Sequence, residues 1–323
     1  MISVNQRAAV IVQQMIGECE ALGLGVKRLK NGATVLDAGV GVPGSMEAGR
    51  LFTCACLGGL GQVSFGQQTF DGRESSFWLP AVAVNVSHPH IACMASQYAG
   101  WAVKLEGYFA IGSGPARALY AGEEIYQKLD YQDHADTAVL MLEGRGLPDE
   151  EVASFVAKKC GVKPEQLALL IAPTASLVGS VQIAGRAAET GLHKLVELGF
   201  DVRRVRAASG VCPLAPVAAD DLHAIGRTND AILYGGQAFY AVHSEDDELA
   251  SLIEKVPSAC SRDYGLPFYE LFMRHKGDFY QIDPLLFSPA QVVINNLNSG
   301  HTFSAGYLNS SLLRSSLLEG IES

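Results

Sequence analysis

Charge is scarce in this sequence, and what there is leans acidic. Charged residues make up 18% of the 323 positions, and 34 Asp and Glu against 24 Lys and Arg leave a formal charge of −10. The basic footprint that sequence-independent nucleic-acid binding needs is therefore missing. An anionic ligand would depend on cations placed locally. No apolar run approaches the ~18 residues that cross a membrane, and the opening Met1-Ile-Ser-Val-Asn-Gln-Arg7 lacks the pattern of a secretion signal. Seven cysteines, odd in number and scattered, fit no disulfide framework, so a reducing cytoplasm is the expected location. His88, His90 and Cys93 have no spacing typical of structural zinc, nor do Cys54 and Cys56. No H-E-x-x-H pair occurs, and no metal is expected. The G-x-S-x-G turn of Ser–His–Asp hydrolases is absent as well.

Apolar residues, by contrast, make up 48% of the chain, enough for a sizeable core and, by length, about two domains. Periodicity predicts an amphipathic helix over 5–23 and a hairpin over 26–36 around Asn31-Gly32. A helix over 45–57 follows, then a buried strand over 81–86 and a helix over 89–99. Strands over 137–142 and 167–172 flank a helix over 149–159. Beyond them come a helix over 176–198, a strand near 203–208, a strand over 231–242 and a helix from 245–248. A second hairpin pairs 292–296 with 302–305. Hairpins interrupt the alternation of strands and helices, so an α+β fold is expected and a pure doubly wound sheet is not. No linker marks a boundary; a cut near 130–135 gives lobes 1–133 and 134–323.

One stretch carries most of the chemistry. Pro173–Gly191 reads as a strand end, a turn and a helix of small or apolar side chains, broken by Arg186 and Glu189. Residues three apart share a helix face, so these two can meet. A carboxylate with a cation beside it is a candidate acid or base; an ordinary ion pair on a solvated face is the plainer alternative. Small residues such as Gly179, Ser180 and Gly185 would let another backbone or a flat ligand come close.

Three further motifs stand out. Gly39-Val-Gly-Val-Pro-Gly44 matches the dinucleotide fingerprint, but its strand is a hairpin arm, and about 20 positions on stand Leu60, Gly61, Gln62 and Val63, with no carboxylate from there until Asp71, so a tight turn is the better reading. Gly112-Ser-Gly-Pro-Ala-Arg-Ala-Leu119 leads two glycines and a proline into a short helix carrying Arg117, either an anion site or a capped turn. Gly226–Gly236 sets Arg227, Thr228, Asn229 and Asp230 before a predicted strand, as contacts for a heteroaromatic ring or as turn formers.

Taken together, Ala172–Leu195, Gly112–Leu119 and Gly226–Gly236 resemble the methenyltetrahydromethanopterin cyclohydrolases. The likeness runs nearly end to end through Ser3-Val-Asn5, Ala99-Gly-Trp101, Leu147-Pro-Asp-Glu150, Asp263-Tyr-Gly265 and Ile282-Asp-Pro284. Ala38, Gly185 and His90 depart from the family's pattern without removing a charged site group. The resemblance implies a homotrimer of two-lobed α+β subunits with a cleft between the lobes, a fold of its own and not a plain Rossmann fold. It implies reversible hydrolysis of N5,N10-methenyl- to N5-formyl-tetrahydromethanopterin, with Glu189 and Arg186 catalytic. Ser113, Gly114, Arg117, Ser180, Gln182, Arg227, Asn229 and Asp230 are then expected to bind substrate. The pterin is the substrate, and no cofactor, nucleic acid or membrane partner is implied. A pterin- or phosphate-binding protein without turnover is the rival reading.

Overall fold

The computed structural model describes residues 2–71, 76–277 and 281–319. In chain order its main elements begin with α1 (Val4–Gly17), α2 (Cys19–Leu22), β1 (Gly25–Arg28), β2 (Thr34–Asp37) and α3 (Met46–Cys56). Next come β3 (Gly61–Phe70), β4 (Phe77–Ser87), a π-helix (His90–Gln97), β5 (Trp101–Leu105), β6 (Tyr108–Ser113), α4 (Ala116–Tyr120) and α5 (Tyr126–Leu129). β7 (Ala138–Glu143), α6 (Glu150–Cys160), β8 (Leu167–Ala172), α7 (Leu177–Ala184) and α8 (Ala187–Glu197) follow. The chain continues with β9 (Val205–Pro213), α9 (Asp221–Gly235), β10 (Gln237–Val242), α10 (Asp246–Ile253) and α11 (Phe268–Arg274). It ends in β11 (Gln291–Asn296), β12 (Thr302–Gly306) and α12 (Ser310–Arg314). The α+β expectation holds. No helix among the described residues is long and apolar enough to cross a membrane.

The chain falls into two compact units, one holding the stretch up to residue 62 with 90–182, the other 63–89 with 183 onward. The cut chosen from sequence, near 133, falls inside the first unit, because β6 and β7 pair across it. That unit carries a six-stranded sheet ordered β1-β2-β8-β7-β6-β5. β2, β8 and β7 run parallel at its centre. Leu140 and Leu142 pack with α6 residues Val152 and Val156, while Val139 and Met141 pack with Val12 of α1 and Phe52 of α3. β7 is thus buried on both faces, which is why its sequence reads as an unbroken apolar run. α6 shows the local logic in full. Asp149 caps its first N–H groups, Glu150 and Glu151 sit in the first turn and Lys158 and Lys159 in the last. Gly161 at φ +70° ends it, so cap, charges and stop all suit the helix dipole.

The second unit holds a sheet ordered β12-β11-β10-β9-β4-β3, in which β10 and β11 are parallel. Helix α8 lies very close to it. A Cβ on Gly210 of β9 would stand 2.7 Å from the Ala188 nitrogen, and one on Gly191 2.1 Å from the Tyr240 hydroxyl. That hydroxyl donates to the Ala188 carbonyl at 2.8 Å.

Besides the break of the predicted helix over 5–23 into α1 and α2, two sequence expectations change. The helix over 176–198 is two helices, α7 and α8, interrupted at Gly185 and Arg186. The strand over 231–242 is the last turns of α9 followed by β10. Asp220 caps α9 by accepting from His223 N, and Ala224, Thr228, Ala231 and Ile232 are buried at helical spacing. The wholly apolar final turn, Ala231-Ile-Leu-Tyr234, mimics a strand; Gly236 at the C-cap ends the helix.

Gly191→Ala should destabilise the second unit by about 1–3 kcal/mol, since the added methyl must displace the Tyr240 hydroxyl from its acceptor. Urea unfolding would register this as a lower midpoint. An unchanged midpoint would mean that α8 can withdraw from β10 at no cost.

Candidate active site

The interruption at Gly185–Arg186 decides where the charged pair sits. Arg186 leaves helical geometry at φ −99°, ψ 0° and becomes the N-cap of α8. Its N–H donates to Ile183 O at 2.9 Å. Its carbonyl accepts from Thr190 N at 2.8 Å and Thr190 Oγ1 at 2.7 Å. Glu189 therefore occupies the first turn of a new helix, where the dipole favours a negative charge. Arg186 Nη1 stands 3.7 Å from Glu189 Oε2, with side-chain exposures of 10% and 7%. A pair on a solvated face is thereby ruled out.

In the first unit the carboxyl ends of the parallel strands β2, β8 and β7 lie side by side, Asp37 level with Ile171 and Glu143 with Ala172. In open sheets with parallel strands this is the edge at which ligands bind. The Gly39–Gly44 turn begins here, but it holds its own anion. Asp37 Oδ1 accepts from Gly39 N at 3.0 Å and Val40 N at 2.7 Å, and Oδ2 from Gly41 N at 2.8 Å. The N–H groups that would cradle a pyrophosphate are filled, which closes the dinucleotide alternative. Glu143 shares the edge. It accepts from Thr174 Oγ1 at 2.6 Å and from Gln182 Nε2 at 3.0 Å. Gln182 and Ser180 are buried on α7.

The Gly112–Leu119 expectation needs correction at Arg117. Its side chain is fully buried, with Nε and Nη2 on the two oxygens of Glu123 at 2.8 and 2.6 Å. Nη1 donates to Met94 O at 3.1 Å and Ser96 O at 2.9 Å. The guanidinium also lies 5.1 Å from the Tyr98 ring centroid and 5.6 Å from that of Tyr126. Gly114 N donates to the same Ser96 carbonyl at 2.8 Å. Arg117 thus ties the end of the π-helix to the glycine turn, and its guanidinium is sealed from any ligand. Ser113 is buried, its Oγ 3.4 Å from Cys56 Sγ.

The Gly226–Gly236 group sits on a helix, so its members diverge around the axis. Asp230 points inward, fully buried, and accepts from Phe268 N at 2.8 Å and Ser316 Oγ at 2.5 Å. It clamps α9 to α11 and to the turn after α12, and is no ligand contact. Burial pushes its pKa from 3.8 up to about 7, against the lowering effect of those two bonds. Asn229 is half-buried and donates to Ile225 O at 2.8 Å. Arg227 is half-buried and makes no hydrogen bond or ion pair with the described residues.

Three residues went unnoticed in the sequence. Glu143 and Asp37 end apolar strands, and a lone acid at a parallel strand's carboxyl end was the available signal. Lys194 is buried on α8, where it donates to the Leu285 carbonyl and lies 3.4 Å from Cys260 Sγ; burial lowers its pKa. Its signal was a lysine inside an apolar helix face.

Comparison with known proteins places this geometry in context. A family model described as cyclohydrolase (MCH) matches residues 3–317. The methenyltetrahydromethanopterin cyclohydrolase of Methanocaldococcus jannaschii is 50% identical over 320 residues, covering 98% of both chains. Those of Methanothermobacter marburgensis and Methanococcus maripaludis are 47% and 49% identical, the alignments covering 98% of this chain and 99% and 98% of theirs.

Two tests separate structure from recognition here. Arg117→Ala strands Glu123 and two carbonyls, and should lower stability by about 3–5 kcal/mol in a urea titration. For Asp230 the folded pKa lies above the unfolded one, so its stabilising contribution is full below about pH 4 and is lost as pH rises through about 7. Asp230→Asn should flatten the stability profile across that window and leave the variant more stable than the parent at pH 8. A parent-like profile would refute the assignment.

Proposed function

We propose that this chain, which belongs to the cyclohydrolase (MCH) family, reversibly hydrolyses N5,N10-methenyl-tetrahydromethanopterin to the N5-formyl compound. The observation that carries the mechanism is the buried Arg186–Glu189 pair at the start of α8. The substrate named by the relatives is a delocalised amidinium cation. Glu189 attracts that cation, orients a water against its carbon and takes a proton as the C–O bond forms. The resulting carbinol collapses when N10 leaves. Glu189 returns its proton to N10, the second water proton goes to solvent, and the C–O bond becomes the formyl carbonyl. Positioned acid–base help of this kind gives ~10²–10⁴-fold.

Arg186 places a second positive charge near a cationic substrate. Its part is to orient the carboxylate and offset some of its charge. Ser113, Gly114, Ser180, Gln182, Arg227 and Asn229 serve the pterin and its arm; half-buried Arg227, with no hydrogen-bond or ion-pair partner among the described residues, suits an anionic arm. Arg117 and Asp230 each tie elements of their own unit together. Water addition to an amidinium calls for neither metal nor redox cofactor. The enzyme acts in the cytoplasm as a homotrimer. A pterin-binding protein without turnover would have no use for a carboxylate held in this way.

Glu189→Gln should lower kcat about 10²–10⁴-fold while the affinity for unreactive tetrahydromethanopterin changes only a few-fold. Loss of the methenyl chromophore reports turnover, with methenyl-tetrahydrofolate as the comparison substrate. Turnover equal to the parent's would remove Glu189 from the mechanism.

A further inference from the structure

We infer that Glu143 reads the 2-amino-4-oxo edge of the pterin ring, and so fixes which one-carbon carrier this chain accepts. The inference rests on the pterin substrate argued above and concerns the first unit alone. Glu143 closes β7 at the carboxyl edge of the three parallel strands, beside Ala172 of β8. It is half-buried, whereas both residues that hold it, Thr174 and Gln182, are 4% exposed. Thr174 Oγ1 occupies one position on Oε1 and Gln182 Nε2 one on Oε2. A carboxylate offers about four lone-pair sites, so each oxygen keeps one. Two buried donors thus set the plane of the carboxylate and leave a matched pair of acceptors.

A pterin presents the complementary pattern. Its N3–H and 2-amino group lie next to each other as donors, and a carboxylate can meet both at once, as it meets a guanidinium. The acceptor pair is otherwise hard to account for. A structural tie between β7, the turn after β8 and α7 would be complete with one oxygen, and no cation stands against this acid: it appears in no ion pair among the described residues. Gln182, which Glu143 positions, precedes Arg186 by four positions and Glu189 by seven.

The test measures binding apart from chemistry. Tetrahydromethanopterin and its deaminated 2-oxo counterpart, which puts an acceptor where the 2-amino donor was, are titrated by fluorescence against the full-length protein and Glu143→Gln. The parent should prefer the amino compound by about 10–100-fold, the worth of hydrogen bonds to a charged group. In Glu143→Gln, whose amide can donate to the 2-oxo group, the ratio should fall towards one. A ratio that stays at the parent's value in a folded variant overturns the inference, as does a parent that binds both compounds equally. If Glu143→Gln does not fold, Thr174→Val frees one oxygen without removing the acid and should lower the ratio part way; an unchanged ratio there also overturns it. Because neither titrated compound reacts, a parent that discriminates between them but never consumes the methenyl compound would count against the hydrolysis and leave the reading of Glu143 intact.

Discussion

A two-residue gap in a helix organises the chemistry of this chain. Had α7 and α8 been continuous, Arg186 and Glu189 would still share a face, but the carboxylate would sit mid-helix with no dipole behind it. Glycine at 185 weakens the helix, and the φ, ψ of Arg186 let the chain restart with Glu189 in the first turn. The carbonyl of Arg186 keeps the new helix in place through two bonds from Thr190. Gly191 and Gly210 then bring α8 down onto its sheet, so the position of the acid is set by backbone contact and not by flexible side chains. Lys194, buried on the same helix, adds a polar anchor to the Leu285 carbonyl.

Buried charge elsewhere follows a rule that separates support from recognition. Arg117 spends four of its five N–H donors on protein acceptors, and Asp230 has a donor on each oxygen while lying wholly inside. Removing a partner from such a group leaves an orphan, which costs far more than the interaction gains when intact. Glu143 and Arg227 differ: both are half-buried and keep hydrogen-bonding capacity that the described protein does not use.

Much of this could be read before any coordinates. The i,i+3 spacing of Arg186 and Glu189, the apolar runs of β7 and β8 and the caps of α6 are local signals, and local signals survive in sequence. What was lost depended on distant partners. Arg117 looked like an anion ligand because nothing near it in sequence announces Met94, Ser96 or the enclosing Tyr126. Asp230 looked like a turn residue because the last turn of α9 is wholly apolar and the helix ends on a glycine pair, as a strand would. Burial itself was visible only in part: a helix rich in small residues signals close approach, but not whether ligand or backbone is what approaches. Here Gly191 and Gly210 answer for backbone.

The choice of arginine beside Glu189 carries a chemical constraint as well. A guanidinium does not surrender its proton in a protein, whereas a lysine shifts readily when buried, as the lowered pKa of Lys194 illustrates. Beside a cationic substrate a lysine at 186 would be driven towards the neutral amine. That amine would compete with Glu189 for the proton of the attacking water, and it could itself add to the amidinium carbon. Arginine avoids both outcomes. In the mechanism proposed above it supplies positive charge and fixed geometry to the carboxylate, which leaves Glu189 as the only group of the pair to exchange protons. Under that proposal, repulsion between Arg186 and the incoming cation is the cost of a pair in which water has no nucleophilic rival.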